Sequence, residues 1–268
     1  MMSLLATIVS LFVATPGDAA DTEPAASAPV APAPITPTLV PTAELPVIRV
    51  GGDMEAQVSR QGEVYTFGSG MINTPLPEGY PPPTPFGAIE LKHYPLVRRA
   101  QVTKKGSVDW GMNGGFWPLF RHIQRRDIEM TSPVEFDYKG LTAEEGDRPE
   151  GWTMSFLYRR VEQGPVGPDE TNENVEVVDI QPMTVVSIGF QGDYSFPRVR
   201  QQLKKVALWL EQHDAQWEQA GDPRSFYYNG PERRGRDRWG EVQIPIRLRI
   251  PVETPAPRPE IPASPDKQ

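Results

Sequence analysis

His93 is the residue whose type and setting point most clearly to chemistry. It lies in a segment that alternates apolar and polar residues from Ile89 to Tyr94. Side chains two residues apart in a strand point to the same side, so His93 is predicted to share an apolar face with Ile89 and Leu91. A neutral imidazole there can coordinate a metal ion through one ring nitrogen while the other donates a hydrogen bond. The alternative, which the alternation by itself favours, is a half-buried, hydrogen-bonded histidine at a sheet edge.

Two arginines follow on a predicted helix. Arg121 and Arg125 lie beside an apolar stripe with helical spacing, which predicts a short amphipathic helix ending near Arg126. Guanidinium groups suit carboxylate ligands because they donate two parallel hydrogen bonds. The alternative is an ordinary solvated face of charged residues.

Other side chains could line a site near the same helix. Trp117 offers an aromatic surface, and Met130 could pack against a flat ring or supply a thioether ligand. Filling of the core is the default role of such residues. His122 lies off the apolar stripe and His213 lies near the end of a second helix, so both are weaker candidates for a metal ligand.

A carboxylate near the end of the chain is a different kind of candidate. Glu241 is predicted to share one strand face with Trp239 and Gln243, whereas Val242 and Ile244 share the other. Glu241 is therefore a candidate for lining a pocket. The alternative is a partly exposed strand carboxylate with no ligand.

Catalytic motifs are missing from the sequence. The chain has three histidines and no cysteine, and it lacks a nucleophile elbow, a zinc-protease motif and a phosphate-binding glycine loop. Without cysteine, a disulfide framework or a thiolate ligand is excluded. We therefore expect a protein that is not an enzyme.

The distribution of proline predicts the domain boundaries. Of the 31 prolines, most precede Phe86 or follow Ile250, and all six tryptophans lie between these residues. We predict one packed domain at 86–250, a disordered Pro/Ala-rich linker at 21–85 and a disordered Pro-rich tail at 251–268. The packed segment carries nearly equal numbers of acidic and basic residues, which argues against a nucleic-acid surface.

Residues 1–20 resemble a signal peptide. An apolar run at 1–14 is followed by Pro16, Gly17 and small residues. The run is too short to span a bilayer, which needs about 20 apolar residues. We expect an exported protein, located in the periplasm or at the cell surface, without a transmembrane span.

The order of predicted strands and helices in the packed segment indicates a duplication. A strand, a helix and two strands occur from Ile89 onward and recur from Val175 onward. Two such units are expected to pair into one antiparallel sheet, curled or closed, with a helix from each unit covering it. The predicted fold class is α+β.

Five motifs in this order carry a family resemblance. They are Ile89-Glu90-Leu91-Lys92-His93-Tyr94, Phe116-Trp117-Pro118-Leu119-Phe120, Met130-Thr131-Ser132-Pro133-Val134, Tyr228-Asn229-Gly230-Pro231 and Trp239-Gly240-Glu241-Val242-Gln243-Ile244-Pro245. Together they resemble the SOUL haem-binding family over most of 86–250. The resemblance implies a distorted antiparallel β-barrel or sheet flanked by two helices.

The resemblance also implies a function. His93 falls where one branch of the family carries the histidine proposed to ligate haem iron, and another branch holds tetrapyrroles without it. We therefore expect a non-enzymatic haem-binding or tetrapyrrole-binding protein for haem buffering or delivery. Its groove would lie beside the first helix, with Trp117, Arg121, Arg125 and Met130 near the ring.

Two other functions stay open. Bacterial effector-binding domains share the duplicated unit and can use a carboxylate on the last strand for cationic ligands, which would make Glu241 and Trp239 the pocket. The domain could also mediate protein interactions without a ligand, with an unknown protein partner.

Overall fold

The computed structural model describes residues 47–106, 108 and 111–249. The segments at 1–46 and 250–268, with the predicted signal peptide and tail, lie outside these residues. The strands are β1 (Ile48–Gly52), β2 (Ser59–Gln61), β3 (Val64–Phe67), β4 (Gly70–Ile72), β5 (Ala88–Tyr94), β6 (Val97–Lys105), β7 (Val134–Lys139), β8 (Gly151–Leu157), β9 (Gly167–Asp169), β10 (Asn172–Ile180), β11 (Met183–Gln191), β12 (Trp217–Gln219), β13 (Arg224–Tyr227) and β14 (Trp239–Leu248). The helices are α1 (Gly111–Arg125) and α2 (Phe196–Gln212).

Eleven strands form one antiparallel sheet. Its order is β1-β5-β11-β14-β13-β7-β8-β6-β10-β9, and β12 pairs with β14 outside this path. Within the described residues, β1 and β9 at the two ends of this order do not pair. The sheet is therefore curled rather than closed, and the α+β prediction is confirmed.

The duplication organises the sheet and its helices. The first unit is β5-β6-α1-β7-β8 and the second is β10-β11-α2-β13-β14. Helix α1 packs against β6, β8 and β10, whereas α2 packs against β11, β12 and β14. Each helix lays its apolar stripe on the sheet because this burial removes apolar surface from water.

The helix-covered side of the sheet holds the main apolar core. On the central strands Val186, Ile188, Val242 and Ile244 point to this side, since each pairs across the ladder with another of them. Leu203 and Val206 of α2 belong to the same cluster. This side of the sheet matches the apolar strand faces that the sequence predicts.

The opposite side of the sheet is polar, yet it is buried. Glu90, Lys92, Ser187, Glu241 and Gln243 are all nearly inaccessible to solvent. Strands β2, β3 and β4 form a separate three-stranded sheet, and the segment before β5 continues from it across this polar side. A polar strand face is normally open to water, but here the chain itself covers it.

The prediction that 21–85 is wholly a disordered linker is wrong for 47–85. Tyr65, Ile72 and Leu76 are buried in a second apolar cluster together with Phe226 and Trp239. Proline and glycine interrupt this segment often enough that no periodic pattern indicates its packing. The folded unit therefore begins no later than Val47, rather than at Phe86.

Gly189 shows how closely this segment approaches the sheet. A Cβ atom built on Gly189 would lie 2.2 Å from the carbonyl oxygen of Thr84 and 2.3 Å from that of Pro85. Only glycine leaves room for a backbone at such a distance. The sequence of β11 is thus adapted to the segment that crosses it.

No helix in the described part of the chain is both long enough and apolar enough to cross a membrane.

Candidate functional site

His93 lies near the end of β5 on the helix-covered side of the sheet. Its partner across the ladder is Thr184 of β11, and the His93 Nδ1 atom is 3.2 Å from Thr184 Oγ1. The ring is half-buried. Its Nε2 atom has no hydrogen-bond partner among the described residues. This nitrogen is therefore available to a ligand.

His93 lines a groove of about 770 Å³ where β5 and β14 end and β11 begins. Ligand pockets usually have volumes of about 300–1,000 Å³. Much of the wall is apolar and comes from distant parts of the chain. The apolar lining residues include Ile180, Pro182, Met183, Trp217, Ile246 and Leu248.

Six charged residues also line this groove, and four of them form one group of ion pairs apart from Asp222 and Arg247. Arg99 Nη1 lies 3.2 Å from Glu135 Oε1 and 2.8 Å from Asp137 Oδ2. Arg224 Nη1 donates to Glu135 Oε1 at 2.9 Å, and its Nε atom donates to Gln243 at 2.9 Å. We call Arg99, Glu135, Asp137 and Arg224 the charged cluster. It presents two cations and two carboxylates beside the apolar wall.

The two carboxylates of the charged cluster differ in their pKa. Burial raises the pKa of Asp137 to about 6, and the neighbouring Glu135 adds to the effect. Burial also acts to raise the pKa of Glu135, but Arg224 and Arg99 outweigh it and hold that pKa below its usual value. At neutral pH both carboxylates are therefore ionised, and Asp137 is the one that takes up a proton first.

Asp137 should make folding stability depend on pH. Because its folded pKa lies above its ordinary value, the folded state binds the proton more tightly, and stability from this group falls as pH rises from 5 to 7.5. We expect the wild type to lose about 1 kcal/mol more over this range than Asp137→Asn does. Urea unfolding of both proteins at the two pH values measures this difference. Parallel pH profiles would contradict the raised pKa.

Glu241 lies on the polar side of the sheet and outside the groove. It is fully buried rather than partly exposed. Its Oε1 accepts hydrogen bonds from the Thr84 amide at 2.7 Å and Lys92 Nζ at 3.0 Å. Tyr228 also donates to Oε1, and Ser187 and Gln243 donate to Oε2. The carboxylate is thus saturated, and the cation it pairs with belongs to this chain.

Trp239 is buried beside Glu241. Its indole nitrogen donates to the carbonyl oxygen of Thr84 at 2.8 Å, and its ring packs edge-on against Phe86. The two residues predicted to form an alternative pocket are therefore close together, but the segment before β5 covers them both.

The residues predicted on α1 lie elsewhere. Trp117 is exposed and contacts the rings of Phe116 and Phe120. Arg121 is exposed, and Arg125 Nη2 donates to Asp169 at 2.8 Å. None of the described residues of α1 lines the groove that His93 lines. The expectation of one groove beside the first helix is therefore not met.

The remaining candidates serve the core. Met130 is half-buried and packs against the main apolar cluster. His122 is fully buried, with its two ring nitrogens bonded to Asp169 and Tyr158. His213 stacks on Trp209 and contacts that residue's carbonyl oxygen through Nδ1 at 2.7 Å. Of the three histidines, only His93 lines the groove.

Sequence reasoning missed the charged cluster. Glu135 and Asp137 stand two residues apart in Val134–Lys139, so their shared strand face was readable. Their contact with Arg99 and Arg224 could not be predicted from the sequence, because these arginines lie on β6 and β13, far away along the chain.

The chain is similar in fold to several solved structures. No curated protein matches the chain. The chain is similar to the crystal structure of the EcmrR C-terminal domain, with 15% identity and a TM-score of 0.46 over 59% of this chain and 96% of that one. In the cryo-EM structure of the EcmrR–DNA complex the match has 14% identity and a TM-score of 0.47, and spans 59% of this chain and 56% of that chain. The chain is also similar to the crystal structure of an uncharacterized conserved protein from Listeria innocua, with 13% identity and a TM-score of 0.45 over 62% of this chain and 94% of that one.

One family matches over most of the folded unit. The family described as "SOUL heme-binding protein" matches residues 83–245, which is more than half of the chain. The match contains β5 to β13 with both helices and most of β14. The chain therefore belongs to the SOUL haem-binding family.

Proposed function

We propose that this protein binds haem or a related tetrapyrrole in the groove that His93 lines, with His93 as the axial ligand of the iron. The observation that carries this proposal is the His93 ring, whose Nδ1 atom faces Thr184 while Nε2 has no partner among the described residues. If Nδ1 donates to Thr184 Oγ1, Nε2 is left unprotonated, as a metal ligand must be. Membership of a haem-binding family supports the same reading.

The groove fits such a ligand in its lining. Met183, Trp217 and Leu248 offer apolar and aromatic surface to a flat ring. Arg247 also lines the groove, and its guanidinium is largely exposed at a side-chain accessibility of 68%. Arg247 Nε already donates to Glu218 Oε1 at 2.5 Å, so a propionate would pair with the remaining N–H groups of this guanidinium. In this proposal Arg247 of β14, rather than Arg121 or Arg125, pairs with a propionate.

The chain's own residues have separate tasks in this proposal. Thr184 orients the imidazole, the apolar wall excludes water from one side of the ring, and Arg247 holds a carboxylate. Bound haem would supply an iron centre. We propose that the protein binds haem without catalysis and serves in haem buffering or delivery. A single half-buried histidine in an open groove would let haem bind reversibly rather than enclose it.

Haem titration of the full chain tests the axial ligand. We expect wild type to shift the Soret band at micromolar protein, and His93→Ala to lose the shift because the iron loses its protein ligand. Thr184→Val should weaken affinity by about 10-fold, since loss of the orienting partner of a metal-bound histidine typically costs this much.

A matched control is His213→Ala, which removes a half-buried histidine outside the groove. Its spectrum and affinity should equal those of wild type. An unchanged Soret shift in His93→Ala would reject His93 as the ligand, and a flat wild-type titration would reject haem.

A further inference from the structure

The apolar wall of the groove is open to solvent where β14 ends. Leu248, the last residue of that strand, lines the groove and is 58% exposed. Trp217 pairs with Leu248 across the ladder, lines the same groove and is half-buried. A single exposed apolar residue is ordinary, but adjoining apolar residues in a concave surface are typical of a binding site. This end of the groove is therefore suited to an apolar occupant.

The chain itself leaves the fold at this end of the groove. The amide of Arg249, directly after Leu248, donates to the carbonyl oxygen of Gln216 at 2.9 Å, which fixes the exit of the chain beside β12. The tail at 251–268 follows, outside the described residues. An extended chain covers about 3.3 Å per residue, so about ten residues of the tail reach about 33 Å and can turn back over Leu248.

The tail carries prolines with the period of a polyproline II helix. Pro259, Pro262 and Pro265 follow one another at every third position. Because a polyproline II helix has three residues per turn, the three rings would share one face in that conformation. Such faces dock into apolar grooves that contain aromatic side chains, and proline lowers the entropy lost on docking. The groove with Trp217 and Leu248 in its wall has this chemistry.

Charge favours the same pairing. Glu260 and Asp266 would share a second face of this helix, next to the prolines. Arg247 lines the groove with its side chain 68% accessible, and only its Nε atom is used by Glu218. Its remaining N–H groups can donate to a carboxylate of the tail. An exposed ion pair adds little affinity, so it orients the tail while the apolar contacts hold it.

We propose that residues 259–265 dock in the groove as a polyproline II helix, with the prolines against Trp217 and Leu248 and with Glu260 beside Arg247. The tether keeps the tail at an effective concentration of about 1 mM, so even a weak contact fills the groove for much of the time. The docked tail covers the wall that haem would use, and a ligand of the groove has to displace it. Docking itself does not depend on haem being that ligand.

Disulfide trapping in the full chain tests the docking, because the chain has no cysteine and two introduced thiols can pair only with each other. Ser264→Cys places one thiol in the tail. Ala220→Cys places the other at an exposed residue that lines the groove. At micromolar protein in oxidised glutathione, we expect this pair to form its disulfide at least about 10-fold faster than a control pair, because docking holds the two thiols close together.

The matched control combines Ser264→Cys with Ala215→Cys. Ala215 is also exposed and is next to Gln216 at the exit of the chain, but it does not line the groove. A tail that does not dock would reach Ala215 at least as readily as Ala220. Equal rates for the two pairs, or a faster control, would overturn the proposal.

Two changes connect the trapping to the proposed contacts. Replacing Pro259, Pro262 and Pro265 together by Ala should abolish the difference between the two pairs. Leu248→Ser removes apolar surface at an exposed position and should slow trapping at Ala220 several-fold. Rates that stay unchanged in both would overturn the docked geometry.

Haem is absent from these measurements, so failed trapping and a failed haem titration are separate outcomes. Where haem binds, saturating haem should slow trapping between Ser264→Cys and Ala220→Cys. An unchanged rate would overturn the inference that haem and the tail share one wall.

Discussion

Replacing Lys92 with Met is expected to lower the free energy of unfolding by about 3–5 kcal/mol at pH 7.5. Lys92 Nζ lies 3.0 Å from Glu241 Oε1, and both side chains are fully buried. Lys92 also donates to the carbonyl oxygen of Pro82 at 2.7 Å. Without the ammonium group, a carboxylate remains buried with no cation in contact, and this is more costly than losing an exposed ion pair.

The pH dependence of this loss identifies its cause. Burial acts to raise the pKa of Glu241, but Lys92 and several hydrogen bonds outweigh it and hold the pKa below the usual value. In Lys92→Met the pKa should rise, so a proton can neutralise the buried carboxylate at low pH. The destabilisation should therefore be largest above pH 7 and shrink as pH falls toward 5.

Urea unfolding at several pH values measures both effects. The double variant Lys92→Met with Glu241→Gln is the control, because it removes both charges and should recover a substantial part of the lost stability. A single variant within about 1 kcal/mol of wild type at pH 7.5, or a loss independent of pH, would contradict the role given to the pair.

Removing the segment before Phe86 is expected to abolish cooperative unfolding. A chain that begins at Phe86 would expose Trp239 and Phe226, which are fully buried beneath this segment. It would also deprive Glu241 of the Thr84 amide and Lys92 of the Pro82 carbonyl. Each large apolar side chain exposed costs about 1.5–3 kcal/mol, and total stabilities are about 5–15 kcal/mol.

Tryptophan fluorescence during urea unfolding follows this prediction, with a chain that begins at Val47 as the reference. The reference should show one sigmoidal transition, whereas the shorter chain should show a broad change or precipitate. Because the family match begins at residue 83, the shorter chain still contains nearly all of the matched region. A stable, cooperative shorter chain would show that the covering segment is dispensable.

Much of the fold could be predicted from local patterns. The helical spacing of Phe116, Leu119 and Ile123 predicts α1, and Pro197 near the start of α2 marks its first turn. The repetition of elements from Ile89 and again from Val175 predicts the duplicated unit. These features depend on residues a few positions apart, so the chain reveals them without knowledge of its long-range contacts.

The candidate site was predicted only in its central residue. His93 was readable because its strand face is set by alternation with Ile89 and Leu91. The residues around His93 could not be predicted, since Met183, Trp217 and Leu248 reach the groove from other strands. The α1 residues resembled a site by family position, but helix packing placed them outside the groove.

The sequence by itself determined the main strands and helices of the duplicated unit and the face on which His93 lies, because strand and helix periodicity fix side-chain direction locally. The tertiary structure alone decided that Lys92 and Glu241 are buried on the other face. Alternation marks a polar face but does not reveal what covers it, and here the cover comes from a proline-interrupted segment that carries no periodic signal. Burial of charge depends on distant partners, so it emerges only when the whole chain is folded.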